Sequence, residues 1–191
     1  KMRPNVYCLK QTRGPHVVHI MTLDVFLWAT YLFLIGTGSG YYHIPAFFGA
    51  PCILTNFPGF LPYFGMKDQD LNLPRWVKNI WTGKLISFEQ YMSPPISKYW
   101  SMKHFRDSRM SWVENTPNEL EAAKQEMVGR TANHSSLVPP DDDLQKRFKA
   151  IAKSCGLKHC SKPVQPFAPI SRDFLERHIN LLDWYYLTGI F

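Results

Sequence analysis

Apolar and polar positions divide this chain into an uncharged N-terminal block and a polar remainder. From residue 25 to residue 66 the sequence contains no Lys, Arg, Asp or Glu. A soluble domain seldom leaves so long a stretch without charge, because its surface must be solvated, whereas a membrane segment with its interfacial flank does so readily. The pattern therefore predicts a membrane-anchored protein.

Residues 17–38, which begin before the uncharged block and extend into it, predict a single transmembrane helix. At a rise of 1.5 Å per residue, about 20 apolar residues cross a hydrocarbon core of roughly 30 Å. Only a helix lets one isolated segment satisfy its own backbone hydrogen bonds in lipid. The alternative is a buried or re-entrant helix, because the strictly uncharged apolar core, residues 25–35, is short.

Asp24 is the carboxylate within the predicted helix. A carboxylate at the centre of a spanning helix costs roughly 2.5–3.5 kcal/mol, so we expect Asp24 near the headgroups or paired with a polar group of a neighbouring helix. Gly36, Gly38 and Gly40 add small surface that favours close helix contact. Asp24 is therefore a candidate intramembrane polar contact.

The charges that flank the predicted helix indicate its orientation. The basic residues that precede it have no acidic residue among them, and they are Lys1, Arg3, Lys10 and Arg13. The positive-inside bias then places this N-terminal segment, residues 1–16, on the cytoplasmic or matrix side. The long tail would lie on the opposite side.

Residues 39–66 predict an interfacial strap rather than a second spanning helix. Prolines at 45, 51, 58 and 62 interrupt any long helix, and the many Tyr and Phe residues resemble an aromatic belt at the headgroup level. Alternatively, the strap lies extended in a groove of a neighbouring protein, and this is compatible with a position at the headgroup level.

Residues 67–191 predict an extramembrane tail of short helices. Thr116-Pro117-Asn118-Glu119 has the residues of a capping box and predicts a helix that ends near Gly129. Shorter helices are predicted at 75–81, after Ser93 and after Ser171. A stripe at helical spacing predicts one more helix and consists of Leu144, Phe148, Ile151 and Cys155.

No convincing strand pattern is present. The predicted fold class is therefore mainly α, with a single N-terminal transmembrane helix, an extended Pro- and aromatic-rich strap, several short helices, and little or no sheet.

The net charge of +7 is consistent with an anionic lipid, a nucleic acid or an acidic protein as partner. A run of basic residues without intervening acids includes Lys146, Arg147, Lys149 and Lys153, which are candidate contacts for anionic phospholipid such as cardiolipin. A solvated helix face is the plainer interpretation of the same run. Nucleic acid is the less expected partner.

Cys155 and Cys160 lie close enough in sequence for a disulfide across the turn at Gly156. They do not predict a metal site, because a zinc site needs a second pair of ligands. The chain contains no phosphate-binding glycine motif, no nucleophile elbow and no dinucleotide fingerprint. We therefore predict no catalytic, cofactor-binding or metal-binding residues.

These features are typical of supernumerary subunits of respiratory complexes, although no family motif is present. The sequence predicts a non-catalytic accessory subunit of a mitochondrial inner-membrane complex, most plausibly of the respiratory chain, with its N-terminus in the matrix and its tail in the intermembrane space. Its partners would be other subunits and phospholipid. The alternatives are an accessory subunit of ATP synthase, a single-pass membrane enzyme of a secretory compartment, and a basic organellar ribosome-associated protein.

Overall fold

The computed structural model describes residues 26–27, 29–37, 43–57, 69–98, 102–132, 142–155 and 168–182. The strands are β1 (Leu34–Thr37), β2 (Cys52–Phe57), β3 (Leu71–Pro74), β4 (Trp76–Asn79) and β5 (Met110–Val113). The helices are α1 (His43–Phe47), α2 (Phe88–Met92), α3 (Met102–Asp107), α4 (Pro117–Ala132), α5 (Asp143–Ser154) and α6 (Arg172–Arg177), with 3-10 turns at Ile96–Lys98 and Ile179–Leu182.

A parallel sheet in the order β1-β2-β3 forms the centre of the described structure. Ile53 of β2 pairs with Ile35 of β1 on one side and with Leu71 of β3 on the other. Ile53 and Leu54 are almost fully buried, as expected for a central strand covered on both faces. The exposed outer strand, β1, leaves Ile35 43% exposed.

The segment around Ile170 extends the sheet beyond β3. Ile170 forms a parallel bridge with Asn72, whose backbone N–H donates to the Pro169 carbonyl over 2.9 Å. Gln145 completes the pairing from α5, since its Nε2 donates to the Ile170 carbonyl over 2.6 Å and its Oε1 accepts from the Ile170 N–H over 3.3 Å. The side-chain amide of Gln145 thus bonds to the N–H and the carbonyl of Ile170, which a further strand would otherwise pair.

The predicted transmembrane helix at 17–38 is wrong over its C-terminal part. Residues 26–30 include one helical turn, after which the chain becomes extended and Leu34–Thr37 is β1. Among the described residues, no helix has both the length and the apolar character needed to cross a bilayer. A short apolar run is compatible with a strand in a parallel sheet as well as with a helix. Here Leu34–Thr37 pairs with β2 and is therefore a strand.

The expectation of little or no sheet is wrong for two further segments. The described part of the predicted strap, residues 43–57, contains α1 and the central strand β2. The predicted helix at 75–81 is instead β4, which pairs antiparallel with β5, Trp76 opposite Val113 and Asn79 opposite Met110. The membrane-anchored mainly-α fold class is therefore replaced by an α/β arrangement.

The helices that begin with strong local signals are confirmed. α4 starts at Pro117, as the capping box predicted, but continues to Ala132 beyond Gly129. α5 begins after Asp142, whose carboxylate accepts from Leu144 N and Gln145 N. Ser171 directly precedes α6, whereas Ser93 ends α2, and the helical segments predicted after it are the 3-10 turn at Ile96–Lys98 and α3.

One hydrophobic core joins the sheet to the helices that follow it. Trp76 lies at its centre, stacked on Phe174 at 4.6 Å between ring centroids and tilted against Phe88 at 5.2 Å. Met127 of α4 and Phe148 of α5 reach the same core. Described residues as far apart in sequence as Ile53 and Leu182 therefore belong to one core.

Candidate functional site at the carboxyl edge of the parallel sheet

The three parallel strands end at a common edge, which we call the carboxyl edge. β1 ends at the exposed Thr37, β2 at Phe57 and β3 at Pro74. In open α/β sheets, ligands bind outside the carboxyl ends of the strands, where the connections leave polar groups free. This edge is therefore the first place to look for a site.

Asn56 leaves the ladder near the end of β2. The register of the β2–β3 pair shifts between Thr55 and Phe57, and Asn56 adopts a φ of +51°. Asparagine enters this left-handed region more easily than most residues other than glycine. The irregularity brings Asn56 to the segment that follows β5.

Asn56 and Asn115 form a reciprocal pair at the carboxyl edge. The N–H of Asn56 donates to Asn115 Oδ1 and the N–H of Asn115 donates to Asn56 Oδ1, each over 2.7 Å. Asn115 Nδ2 also donates to the Pro74 carbonyl over 3.0 Å. Because Asn115 is buried, these bonds fix the start of α4 against the ends of β2 and β3.

Thr116 and Glu119 cap α4 at this edge. The Thr116 N–H donates to Glu119 Oε2 over 2.6 Å, and the Glu119 N–H donates to Thr116 Oγ1 over 3.3 Å. The Thr116 hydroxyl donates to the same carboxylate oxygen over 2.9 Å. These bonds hold the Glu119 side chain in one position. Its second carboxylate oxygen, Oε1, takes no part in the bonds to Thr116.

His178, which directly follows α6, contacts Glu119 Oε1. Its Nε2 lies 2.9 Å from Glu119 Oε1, and its ring packs against Trp76 at 4.4 Å and Phe174 at 5.1 Å between centroids. The side chain of Glu119 is 5% exposed and that of His178 is 21% exposed. The pair therefore consists of a buried carboxylate and a histidine that solvent reaches.

Burial raises the pKa of Glu119, but its hydrogen bonds more than offset that effect. His178 bonds to one carboxylate oxygen, and Thr116 donates to the other from its backbone and its hydroxyl. Together these partners lower the pKa of Glu119 below its ordinary value. Glu119 is thus an anion at neutral pH that orients the imidazole of His178.

This arrangement can orient a ligand and accept a proton from it. A histidine whose ring is positioned by a buried carboxylate is the usual form of an oriented general base. Among the described residues the buried indole N–H of Trp76, whose ring packs against the histidine, has no acceptor. No group of three or more His, Cys, Asp or Glu side chains among the described residues is arranged to hold a metal ion.

Comparison with known proteins does not identify the chain. No protein family, no curated protein and no solved structure matches it. The interpretation of the carboxyl edge therefore rests on its own geometry.

The residues singled out from the sequence lie elsewhere. The candidate lipid contacts all lie on α5, where Lys146, Lys149 and Lys153 are exposed and Arg147 is half-buried. Their proposed contact with phospholipid stays a prediction.

Cys155 follows α5, with its Sγ 3.5 Å from Ser93 Oγ. Cys160 and Asp24 lie outside the described residues, so the disulfide and the intramembrane contact also stay predictions.

Sequence reasoning missed the site because its members are far apart in the chain. Asn56, Asn115 and His178 carry no motif that would link them. Glu119 was recognised only as a helix cap. One local signal was available, since the glycines at 36, 38 and 40 follow an apolar run that is short for a spanning helix, and a short apolar run also fits a buried strand.

Proposed function

We propose that this chain is a ligand-binding α/β domain whose carboxyl edge binds a phosphorylated small molecule of the nucleotide or sugar-phosphate class. The observation that carries the proposal is the parallel order β1-β2-β3, which brings the ends of all three strands to the edge where Asn56, Asn115 and His178 lie. In open α/β sheets in general, ligands bind outside the carboxyl ends of the parallel strands.

Two features support an anionic ligand. In the sequence, Gly38, Ser39 and Gly40 follow the end of β1, and glycine is the residue type that lets the backbone approach a ligand closely. The chain also carries a net charge of +7, which raises the local concentration of anions.

The polar groups at the edge suit the remainder of such a ligand. The hydroxyl of Thr37 is exposed at the end of β1, and His178 offers a ring nitrogen that is not bonded to Glu119. A ribose or sugar hydroxyl can bond to both kinds of group. His178 is the group that would accept a proton if the bound molecule also reacted.

Calorimetric titration of the full chain with nucleoside diphosphates and, separately, with inorganic phosphate tests the proposal. We expect a nucleoside diphosphate to bind more tightly than phosphate alone. His178→Ala should weaken binding at least about tenfold, the loss typical of one hydrogen bond to a charged or oriented group.

Thr37→Val and Thr30→Val form a matched pair for the same titration. Thr37 ends β1, whereas Thr30 lies in the helical turn before that strand, and among the described residues its hydroxyl bonds to backbone carbonyls of its own turn, including Phe26 O over 3.0 Å. Thr37→Val should weaken nucleotide binding while Thr30→Val leaves it unchanged. Equal effects of the two variants, or no binding of any phosphorylated compound, would overturn the proposal.

The accessory-subunit function predicted from the sequence stays untested. Its premise was a membrane-spanning helix at 17–38, and β1 occupies part of that range. The described fold gives no separate reason to prefer it over a ligand-binding domain.

A further inference from the structure

The turn after β4 presents two large apolar side chains to solvent. Ile80 is 52% exposed and Trp81 is 74% exposed. Single exposed apolar side chains are ordinary on protein surfaces, but neighbouring isoleucine and tryptophan residues at the end of a turn form one projecting patch. We call residues 79–84 together with Arg109 the tryptophan tip.

Hydrogen bonds hold the tryptophan tip in one shape. Asn79 Oδ1 accepts from Trp81 N over 2.9 Å and from Thr82 N over 3.2 Å. The Asn79 carbonyl accepts from Gly83 N over 2.9 Å, and Gly83 adopts the left-handed φ of +66° that this tight turn requires. The apolar patch is therefore displayed by a preformed turn.

Basic side chains surround the patch. The guanidinium of Arg109 lies over the Trp81 ring, 3.6 Å from its centroid, and the Arg109 carbonyl accepts from Ile80 N over 2.9 Å. Lys78 and Lys84 are exposed on either side of the turn. The adjoining helix α3 adds exposed Lys103 and Arg106 and one exposed acid, Asp107, so the surroundings carry a positive excess.

We propose that the tryptophan tip binds the surface of an anionic phospholipid bilayer. Lysine and arginine side chains near a bilayer are attracted to anionic headgroups, and tryptophan favours the headgroup level, where its ring is buried and its N–H stays hydrated. This is peripheral binding at the interface and involves no segment that crosses the bilayer.

The composition of the tryptophan tip favours lipid over nucleic acid. Ile80 contributes exposed aliphatic surface, which enters the acyl region of a bilayer but has no aromatic face for a base to stack on. One face of Trp81 is already covered by Arg109, which halves its capacity for stacking. A rigid apolar tip with a basic rim is the form expected of an interfacial anchor.

Flotation of the full chain with vesicles tests this inference independently of nucleotide binding. We expect binding to vesicles of phosphatidylcholine with phosphatidylglycerol, and little binding to phosphatidylcholine alone. Trp81→Ala should weaken binding to the mixed vesicles about tenfold, and Lys78→Gln with Lys84→Gln should weaken it similarly. Because these side chains are exposed, urea unfolding of each variant should match that of the parent chain.

Lys146→Gln with Lys149→Gln is the matched control, since it removes the same charge from the exposed face of α5. If the tryptophan tip is the lipid contact, this variant should bind mixed vesicles as the parent does, whereas the sequence-based prediction that α5 contacts phospholipid expects it to lose binding, so the variant separates the two. The inference fails if the α5 variant loses binding and the tip variants keep it, or if both vesicle types bind equally. It also fails if a single-stranded oligonucleotide, but no vesicle, binds in a manner that depends on Trp81.

Discussion

Single amide and carboxylate side chains organise the carboxyl edge. Asn115 satisfies the Asn56 N–H and the Pro74 carbonyl at once, and Glu119 combines the capping of α4 with the orientation of His178. Each of these residues bonds to groups that are distant in sequence. Removing one therefore leaves buried polar partners unsatisfied, which costs more than the lost bond alone.

Asn115→Ala should lower the free energy of unfolding by about 2–3 kcal/mol, because the partly buried N–H of Asn56 and the buried carbonyl of Pro74 both lose their partner. Urea denaturation measures the loss. Asn118→Ala is the control, since Asn118 is exposed in the first turn of α4 and should change stability by less than about 0.5 kcal/mol. Similar losses in the two variants would show that the Asn56–Asn115 pair contributes little.

Glu119→Gln should alter how stability depends on pH. The folded state lowers the pKa of Glu119 from its ordinary value of 4.5, so its ionic contribution to stability is fully present above about pH 4.5. That contribution is lost as the pH falls through the lower folded-state value. The difference in unfolding free energy between parent and variant should accordingly shrink below pH 4.5.

Urea unfolding at a series of pH values measures this dependence. Asp107→Asn, which neutralises an exposed carboxylate on α3, is the control and should leave the pH profile close to that of the parent. A parent-to-variant difference that stays constant, or grows towards acid, would contradict the assigned role of Glu119.

At the scale of elements, the helices that begin with a capping signal were predictable and the strands were not. α4 and α5 carry their own start signals within a few residues, Thr116 with Glu119 and Asp142 with its two N–H partners. β1 and β2 are apolar runs that could form helix or strand, and the choice depends on pairing partners that lie 18 residues apart in the sequence. Pairing between strands is therefore information that a local pattern lacks.

A matched pair of substitutions tests the assignment of β1 and β2. Ile35 and Ile53 face each other across the two strands, but Ile35 is 43% exposed and Ile53 is 1% exposed. Ile53→Ala should destabilise the protein by about 2–5 kcal/mol and Ile35→Ala by less than about 1 kcal/mol. Urea midpoints report both losses, and a larger loss for Ile35→Ala would contradict the position of β1 at the edge.

At the scale of the whole molecule, the late helices complete a core that the sheet begins. Phe174 of α6 stacks on Trp76, and Phe148 of α5 meets Phe88 of α2 edge to face at 5.2 Å. Neither group of residues buries its apolar surface without the other. The described elements are therefore expected to unfold as one unit.

A chain shortened to residues 1–141 should lose cooperative unfolding, because it lacks Phe148, Ile151, Phe174 and Leu175, which are all buried in the core. Near-ultraviolet circular dichroism should show loss of the fixed environment of Trp76. Adding a separate fragment of residues 142–191 should restore part of that signal. A shortened chain with a sharp urea transition and the parent near-ultraviolet spectrum would contradict a shared core.

The sequence by itself determined the helices that start with caps, the amphipathic stripe of α5 and the excess of positive charge, because each depends on neighbours within a turn or on composition alone. Tertiary structure decided that the apolar N-terminal block contains strands of a parallel sheet, since an apolar run acquires its conformation from what pairs with it. Tertiary structure also decided which residues distant in sequence come into contact. Those contacts bring four residues to one edge of the sheet: Asn56, Asn115, Glu119 and His178.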